Sequence, residues 1–470
     1  MTPSTPSPAA VEAPVTEANF TRRLAVITLA GAVWRLGYLF VAKLDEGLRL
    51  NDSLYFSLQA VRNADGDWFR EALTDLPGAE HAPLTSLYLT PWSLGGGDDV
   101  PWQRLGTALL GITTVAVIGL VGRRLAGPAV GLVAAGIAAV YPNLWINDSL
   151  VMSESLAFLT VAVGLLVALD FDRRPGAGRA VALGVLVGLG TLTRSEIALF
   201  AVGFAALAWW RSAGHPRRAL MPVVLVGAAL LTVAPWTAYN LARFEEPVLL
   251  STNDGSTLLG ANCDSAYYTD VGGWDVRCLA PFPEPGSIDP SVRSRDQRQR
   301  AIDYIRDHAR RVPVVVLARL GRTADLYGLG SLVALDRGEE KAGWAVWAGI
   351  ASWWVLAPAA VAGWRGLGRR RVSVDGDDRS KARWWFAVPP GAVLVTTVLF
   401  YGAHRIRAPA EPVVVVLAAV GAVALYQRWG RRSRGRQLQP RSEAGEVDAS
   451  ASAVAAGVTR SGAGEAAPSR

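Results

Sequence analysis

Long apolar stretches, separated by short polar connections, dominate this chain of 470 residues. A helix that crosses a bilayer needs about 20 mainly apolar residues, and the pattern predicts ten such spans. They are residues 22–43, 103–122, 127–147, 150–171, 178–193, 196–211, 219–238, 342–364, 385–403 and 409–428. The fifth and sixth spans are short, so we expect a tight hairpin sheltered by neighbouring helices. The pattern predicts an all-α polytopic membrane protein with about ten transmembrane helices.

Two further apolar stretches lack the length or the polarity pattern of a span. Residues 84–97 are too few and end in three glycines, whereas residues 312–332 carry Arg319, Arg322 and Asp325. Short or charged apolar segments lie more favourably at a membrane surface than across it. We therefore expect a re-entrant or interfacial helix in each stretch.

Basic residues follow alternate spans and indicate the orientation of the chain. Short cytoplasmic loops collect Lys and Arg, and such pairs occur at 22–23 and 123–124, with further clusters in loop 365–383 and after residue 428. We expect both termini in the cytoplasm of a multi-pass plasma-membrane protein. The connections that then face outward are 44–102, 148–149, 194–195, 239–341 and 404–408.

The two ends of the chain differ in composition from the apolar region between them. Residues 1–21 are rich in Pro, Ala, Thr and Ser, and residues 433–470 are rich in Ala, Gly, Ser and Arg. Such segments bury too little apolar surface to offset the entropy of ordering, so we predict two disordered cytoplasmic tails. Residues 22–432 form one predicted membrane domain, which includes the outer loop 44–102 and the outer segment 239–341.

Composition and charge narrow the range of partners. Hydrophobic residues make up 51% of the chain, and the mean hydropathy of +0.25 excludes an ordinary soluble domain. Much of the net charge of +7 falls in the predicted cytoplasmic loops, where anionic lipid attracts basic residues. No basic run alternates with aromatic residues as a nucleic-acid groove would require. We expect membrane lipid as a partner and no nucleic acid.

Cys263 and Cys278 are the only cysteines, and both lie in the predicted outer segment. An oxidising compartment favours a disulfide between them, while the alternative is two unpaired thiols. No His or further Cys lies near them in the sequence to complete a four-ligand metal site. We predict the disulfide.

Short polar motifs lie at the predicted outer ends of the spans, where charged residues next to lipid are costly and usually functional. The motifs are Asn51-Asp52-Ser53 with His81-Ala82-Pro83-Leu84, Asn147-Asp148 with Ser153-Glu154, Thr193-Arg194-Ser195-Glu196, and His404-Arg405-Ile406-Arg407-Ala408-Pro409. Each motif also has a simpler interpretation. Asp52 could cap a helix, Pro83 could begin one, and any single arginine could reach to lipid headgroups. Arg35 and Glu154 could form a purely structural ion pair within the membrane.

Taken together and in this order, the motifs resemble those of the integral-membrane C-type (GT-C) glycosyltransferases, in the group of protein O-mannosyltransferases and lipid A aminoarabinose transferases. Asp52 matches the family's acidic residue in the first outer loop. The motifs at 81–84 and 193–196 match except at Ala82 and Ser195, where the family usually has proline. Residues 152–154, 235–240, 251–255 and 404–409 are similar to the remaining motifs. The two departures indicate a divergent subgroup.

The resemblance implies a polyprenyl-phosphate-linked sugar as donor, an extracytoplasmic acceptor and inversion at the anomeric carbon. Asp52 would be the general base, and Glu154 would orient the acceptor or an arginine. The substrate-binding residues that it implies are His81, Arg194, Glu196, His404, Arg405 and Arg407. Asp52, Asp148 and Glu154 could hold a divalent metal ion, but this group generally works through protein cations, so we do not expect a required cofactor.

Two alternatives remain open at this stage. A membrane transporter or lipid flippase also places charges within its spans, but commonly at the midplane and in repeated halves, whereas no repeat is visible here. A polytopic scaffold without chemistry would leave the grouping of polar motifs on one side unexplained. The sequence identifies neither the sugar nor the acceptor, which could be protein, lipid or cell-wall glycan.

Overall fold

The computed structural model describes residues 17–49, 52–71, 73–95, 99–281, 286–369 and 379–437, with the backbone alone at 379 and 431–437. Within these ranges the chain forms no β-strand, and a single isolated β-bridge joins Arg70 to Pro77. The predictions of disorder for residues 1–16 and 438–470, and the motif position Asn51, lie outside the described residues. Helices begin at Glu17 and end at Gln437.

The described chain is a succession of α-helices. In chain order they are α1 Glu17–Tyr38, α2 Asp52–Ala64, α3 Leu84–Leu89, α4 Val100–Ala126, α5 Pro128–Val140, α6 Pro142–Trp145, α7 Glu154–Arg173, α8 Ala177–Thr191, α9 Leu199–Arg211, α10 Leu220–Leu241, α11 Asn253–Gly260, α12 Pro290–Asp307, α13 Val312–Thr323, α14 Leu329–Gly338, α15 Gly343–Arg369, α16 Arg379–Ala382, α17 Val388–Leu399, α18 His404–Arg407 and α19 Glu411–Gln437. Short 3₁₀ and π-helical turns extend several of them, notably the π-helical segment Leu39–Lys43 after α1.

Six helical stretches are long and apolar enough to cross a membrane. They are Glu17–Lys43, Val100–Ala126, Glu154–Arg173, Leu220–Leu241, Gly343–Arg369 and His404–Gly430. Each of the ten predicted spans contains a helix, and six of them match these long stretches. In the other four spans the longest helices are α5, α8, α9 and α17, which are all shorter than 18 residues. The multi-pass all-α architecture is confirmed, and the number of ten spans stays a prediction.

Small residues let the apolar helices pack closely, which matters because lipid gives little hydrophobic driving force between helices. A Cβ atom added to Gly131 on α5 would lie 2.6 Å from the carbonyl oxygen of Gly119 on α4. One added to Gly184 on α8 would lie 2.1 Å from the carbonyl oxygen of Leu225 on α10. The short helix α8 is therefore held directly against a longer apolar neighbour, as its length requires.

The two stretches predicted to be interfacial are both shorter than a span. Residues 84–93 form α3 and a 3₁₀ turn. The stretch 312–332 is not one helix, because the chain breaks between α13 and α14. Asp325 (φ 57°) and Gly328 (φ 66°) adopt left-handed backbone conformations there, which end a right-handed helix. This break turns α14 toward the motif residues described below.

The outer segment is cross-linked by a disulfide between Cys263 and Cys278, which confirms the predicted pairing. Cys263 packs in a small core with Ala266, Tyr267 and Val315. The described residues up to Leu425 form one compact unit. The described part of the second unit, residues 426–437, is helical.

Candidate active site

Asp52, at the start of α2, lies against two residues that are distant in sequence. Arg405 in the short helix α18 donates from Nη2 to Asp52 Oδ2. His81 places Nε2 3.3 Å from Asp52 Oδ1, and its ring packs against Tyr55 and Phe56 of α2. The fold thus brings together one residue from each of three sequence motifs.

Electrostatics keep this carboxylate charged. Burial would raise the pKa of Asp52, but Arg405 and His81 outweigh it and hold the pKa well below its usual range. Burial would lower the pKa of His81, yet Asp52 and Glu80 raise it above its ordinary value of 6.5. Opposite charges within a few ångströms favour the charged form of each partner. Asp52 is therefore a carboxylate at neutral pH, and its neighbourhood favours the protonated imidazole of His81.

Glu154, at the start of α7, lies between two arginines. Arg194 donates from Nη1 to Glu154 Oε1 at 2.9 Å and from Nε to Glu196 Oε1 at 2.6 Å. Arg405 Nε lies 3.6 Å from the same Glu154 oxygen. Arg194 also donates to the backbone oxygen of Arg405 at 3.1 Å. The ion pair between Arg194 and Glu196 is thus one part of a larger network.

The turn after α14 supplies charges that the sequence interpretation missed. Glu339 accepts from Arg405 Nη1 at 3.1 Å, and Lys341 donates to Asp336 at 2.8 Å and to Glu339 at 3.0 Å. We call Asp52, Glu154, Arg194, Glu339 and Arg405 the arginine–carboxylate cluster. A usable signal was the charged run 336–341 directly before an apolar span, which has the same position as the recognised motifs.

His404 and Arg407 belong to an adjoining, more deeply buried network. His404 lies between Asp325, 2.6 Å from Nε2, and Asp336, which contacts Nδ1. Arg407 is 2% exposed; it donates to Glu411 at 2.7 Å and to Asp325 at 2.9 Å, and it lies over the ring of Trp353 at 3.8 Å. Arg407 fixes α18 in place and is not open to a ligand in this arrangement.

Arg35 pairs with Asp148 and not with Glu154, the partner considered in the sequence analysis. Its Nε donates to Asp148 Oδ2 at 2.7 Å, and its other nitrogens donate to the backbone of Ala138 and Ala139. Ser155 donates to the second oxygen of Asp148 at 2.7 Å. The Arg35–Glu154 pair is therefore wrong, because Asp148 is the acid that faces Arg35 and Glu154 faces Arg194.

A small cavity of about 20 Å³ opens beside the cluster; we call it the cluster cavity. Glu154, Arg405, His404, Lys341 and Asn147 all line it. Two of its buried acceptor atoms, Glu154 Oε2 and Asn147 Oδ1, have no hydrogen-bond partner within the described part of the chain. Buried polar atoms are normally satisfied, so these two oxygens mark a place for a water molecule or a ligand hydroxyl that donates hydrogen bonds.

The acids do not assemble into a metal site. Among the described residues, no group of three or more His, Cys, Asp or Glu side chains comes together in a way that could hold a metal ion. Asp52, Asp148 and Glu154 each face an arginine instead. The suggested ligand set is thus not brought together.

Residues 83–239 match the family model described as dolichyl-phosphate-mannose-protein mannosyltransferase. The chain matches no curated protein sequence.

Several solved structures share the architecture. The archaeal oligosaccharyltransferase AglB from Archaeoglobus fulgidus, in complex with an inhibitory peptide and a dolichol-phosphate, is 14% identical with a TM-score of 0.55, over 90% of this chain and 52% of that chain. The Archaeoglobus fulgidus oligosaccharyltransferase tethered with an acceptor peptide is 13% identical with a TM-score of 0.54, over 89% of this chain and 51% of that chain. This chain therefore spans about half the length of these structures. ArnT from Cupriavidus metallidurans bound to undecaprenyl phosphate is 16% identical over 91% of this chain and 82% of that chain, with a TM-score of 0.39, too low for a structural comparison.

The fold, the matched region and the membrane-spanning helices agree with the resemblance found in the motifs. The chain is a multi-pass membrane protein with the fold of the integral-membrane C-type glycosyltransferases.

Proposed function

We propose that the protein is a glycosyltransferase that moves a hexose or a pentose from a polyprenyl-phosphate donor to an acceptor outside the cytoplasm. The observation that carries the proposal is the arginine–carboxylate cluster beside a cavity with two acceptor oxygens that have no partner among the described residues. The fold and the match over residues 83–239 support the same reaction class. The disulfide supports an oxidising compartment for residues 239–341.

Asp52 is the base in this proposal. Its carboxylate accepts the proton of the acceptor's hydroxyl or amine while that atom forms a bond to the anomeric carbon. The bond between the anomeric carbon and the phosphate oxygen breaks, and the electron pair leaves with the polyprenyl phosphate. Attack from the face opposite the phosphate inverts the configuration of the sugar.

Arg405 and Arg194 stabilise the leaving phosphate, because Arg405 lines the cavity and contacts Asp52, and Arg194 pairs with the cavity residue Glu154. Positioned cations act most strongly where negative charge develops in a low-dielectric site. Arg405 faces three carboxylates in the absence of donor. A donor phosphate would draw its guanidinium away from Asp52, which raises the pKa of Asp52 and makes it a better base only when the donor is bound.

A hydroxyl group of the bound sugar enters the cluster cavity in this proposal, because a volume of about 20 Å³ has room for one group the size of a water molecule. Glu154 Oε2 and Asn147 Oδ1 can each accept a hydrogen bond from a sugar hydroxyl, which satisfies the two buried oxygens that lack partners in the described chain. His81 assists at the phosphate through its favoured positive charge. Glu196 and Arg407 act from outside the cavity and His404 from its wall; Glu196 holds Arg194, and the other two hold α18, which carries Arg405.

No step of this reaction is assigned to a metal ion. The three acids that could have ligated one each face an arginine, and a guanidinium competes with a cation for the same oxygens. The proposed charge stabilisation is therefore supplied by protein side chains.

The test is transfer of radiolabelled sugar by the purified protein from a pool of polyprenyl-phosphate sugars to extracted cell envelope. We expect transfer by the wild type and a loss of about 10²- to 10⁴-fold for Asp52→Asn, since the base is removed and the shape is kept. Asp65→Asn, which changes an exposed acid after the same helix α2, is the matched control and should transfer normally.

Absence of transfer from every donor by folded wild-type protein would overturn the enzyme proposal and favour a transporter. Equal transfer by wild type and Asp52→Asn would overturn the role of Asp52. The labelled product would identify both the sugar and the acceptor.

A further inference from the structure

A second cavity lies on the other side of the turn that carries Glu339. It has a volume of about 310 Å³ and lies between the end of the first span and the start of α15; we call it the α1–α15 cavity. The chain there leaves the regular α-helix for the π-helical segment Leu39–Lys43, a deviation that is frequent at functional sites. Neither Asp52 nor the cluster cavity's unpartnered oxygens face it.

Two arginines on its rim are open to an anion. Arg49 has a 54% exposed side chain, with Nη2 3.7 Å from Glu46 and Nη1 donating to the backbone oxygen of Arg337 at 2.6 Å. Arg337 is exposed, and its side chain has no ion-pair partner among the described residues. The two lysines of the cavity are already neutralised, because Lys43 pairs with Glu46 and Lys341 with Asp336 and Glu339. Arginine forks bind phosphate oxygens in pairs.

The opposite side of the cavity is aromatic and borders lipid-exposed side chains. Tyr38 and Trp344 line it, with ring centroids 6.5 Å apart, and Trp344 is 59% exposed. Phe40 and Val41 of the π-helical segment are exposed and directly precede Ala42, which lines the cavity. Tryptophan and tyrosine typically mark the level of lipid headgroups. The buried Tyr38 hydroxyl has no hydrogen-bond partner in the described ranges and can donate to a phosphate or ester oxygen.

We propose that the α1–α15 cavity binds the headgroup phosphate of an anionic membrane phospholipid. The phosphate lies between Arg49 and Arg337 and accepts from Tyr38, and an acyl chain follows the apolar surface of Phe40 and Val41. The arrangement combines two accessible guanidinium groups, an unpartnered buried donor and an apolar exit at one membrane-level cavity. This lipid is distinct from the polyprenyl-phosphate donor of the proposed function, which faces Arg405.

The lipid site connects to the cluster through Glu340, which lies in the wall of the cavity. Its carboxylate accepts from Ser53 at 2.5 Å, from Arg104 at 3.2 Å and from the backbone nitrogen of Arg49 at 2.9 Å. Ser53 follows Asp52 in the chain, and Glu339 precedes Glu340. The buried Glu340 side chain therefore connects Arg49 to the neighbours of two cluster residues, Asp52 and Glu339. A bound phospholipid would therefore also restrain the turn at 339–341.

Native mass spectrometry of the full-length protein tests the site by counting retained phosphatidylglycerol and phosphatidylcholine. We expect the wild type to retain phosphatidylglycerol preferentially. Arg49→Gln with Arg337→Gln should weaken that retention by about tenfold for each guanidinium removed, since each supplies a charge-assisted bond. Arg306→Gln with Arg310→Gln removes two exposed arginines of the outer segment and should change nothing. Arg49→Lys with Arg337→Lys should restore part of the retention and shows that the doubly substituted chain still folds.

Equal retention of the two lipids by the wild type, or unchanged retention by the Gln variant, would overturn the proposal. An inorganic phosphate titration without phospholipid separates the two sources of phosphate. Thermal stabilisation by inorganic phosphate equal to that by phosphatidylglycerol would assign the site to a free anion instead. Asp52→Asn should retain phosphatidylglycerol as the wild type does, so lipid binding and sugar transfer can fail separately.

Discussion

Two charged regions of the protein are built from the same residue types and differ in how fully they are satisfied. The Arg35–Asp148 pair is buried at both ends, with side chains 1% and 2% exposed, and its donors and acceptors are taken by Ala138, Ala139 and Ser155. In the arginine–carboxylate cluster one guanidinium is shared among three acids, and Glu154 keeps an oxygen without a partner in the described chain. The Arg35–Asp148 pair stabilises the packing of helices, whereas the arginine–carboxylate cluster leaves an oxygen available to a ligand.

Among variants that compare these two regions, the largest expected effect is the loss of transfer when Arg405, the guanidinium shared among three acids, is replaced. Arg405→Gln should reduce transfer by about 10²- to 10³-fold, because a cation at the leaving phosphate is removed. Melting temperature should change little, since Asp52 and Glu154 keep His81 and Arg194 as partners. Radiolabel transfer and a thermal melt on the same preparation check this, with Arg306→Gln as the control. If Arg405→Gln instead lowers stability and leaves transfer per folded molecule unchanged, Arg405 has a structural role like that of Arg35.

Arg35→Met should have the opposite pattern. It leaves the buried Asp148 carboxylate without its partner, a change that costs about 3–5 kcal/mol. We expect a lower melting temperature and less folded protein, with the remaining folded fraction transferring sugar at a normal rate per molecule. A stable Arg35→Met protein without activity would break the comparison, because it would make Arg35 part of the site.

A smaller effect on donor KM should distinguish Asn147, whose side-chain oxygen lacks a partner in the described residues, from Asn262, whose oxygen accepts two hydrogen bonds. Asn147→Ala removes an acceptor oxygen that lacks a partner in the described structure, so we expect a rise in donor KM of about fivefold, from one lost hydrogen bond. Stability should fall only slightly, because the one bond lost within the protein is that from Nδ2 to the backbone oxygen of Asn143. Asn262→Ala removes an oxygen that accepts from Tyr267 and Arg319; it should lower stability and leave donor KM unchanged. Steady-state kinetics and thermal melts distinguish them, and a reversed result would contradict the sugar's placement.

The smallest expected effect is the pH dependence. The raised pKa of His81 means that its positive charge is fully present below 6.5 and is lost as pH rises through that raised pKa. The lowered pKa of Asp52 means that its negative charge is lost only as pH falls well below 3.8. Transfer should therefore decline a few-fold on the alkaline side. His81→Gln should have a flatter profile; the same alkaline decline in that variant would assign the titration to another group.

The apolar pattern predicted the helices well, because bilayer thickness ties length and composition to a structure in a simple way. Each predicted span contains a helix, and the pairing of Cys263 with Cys278 is confirmed. Asp52 and Arg405 were expected near each other only because the predicted topology puts both on the outer face of the membrane. The structure brings them into contact although 353 residues separate them in the chain.

The sequence did not reveal which acid meets which arginine. Asp148 and Glu154 are both boundary acids, and their partners depend on the directions of the side chains on packed helices. Glu339 and Lys341 were missed because they follow a break at Asp325 and Gly328 that turns one expected helix into two. Arg405 and Arg407, two residues apart, acquire different environments only through α13, α14 and Trp353.

The most direct measurement is a structure of Asp52→Asn with its polyprenyl-phosphate sugar bound, since this variant should bind the donor without consuming it. The account predicts sugar hydroxyls at the cluster cavity, bonded to Glu154 Oε2 and Asn147 Oδ1, and the phosphate on Arg405 and Arg194. A donor bound at another place, with the cluster unchanged and both oxygens still unpartnered, would contradict the assignment of this cluster as the site of transfer.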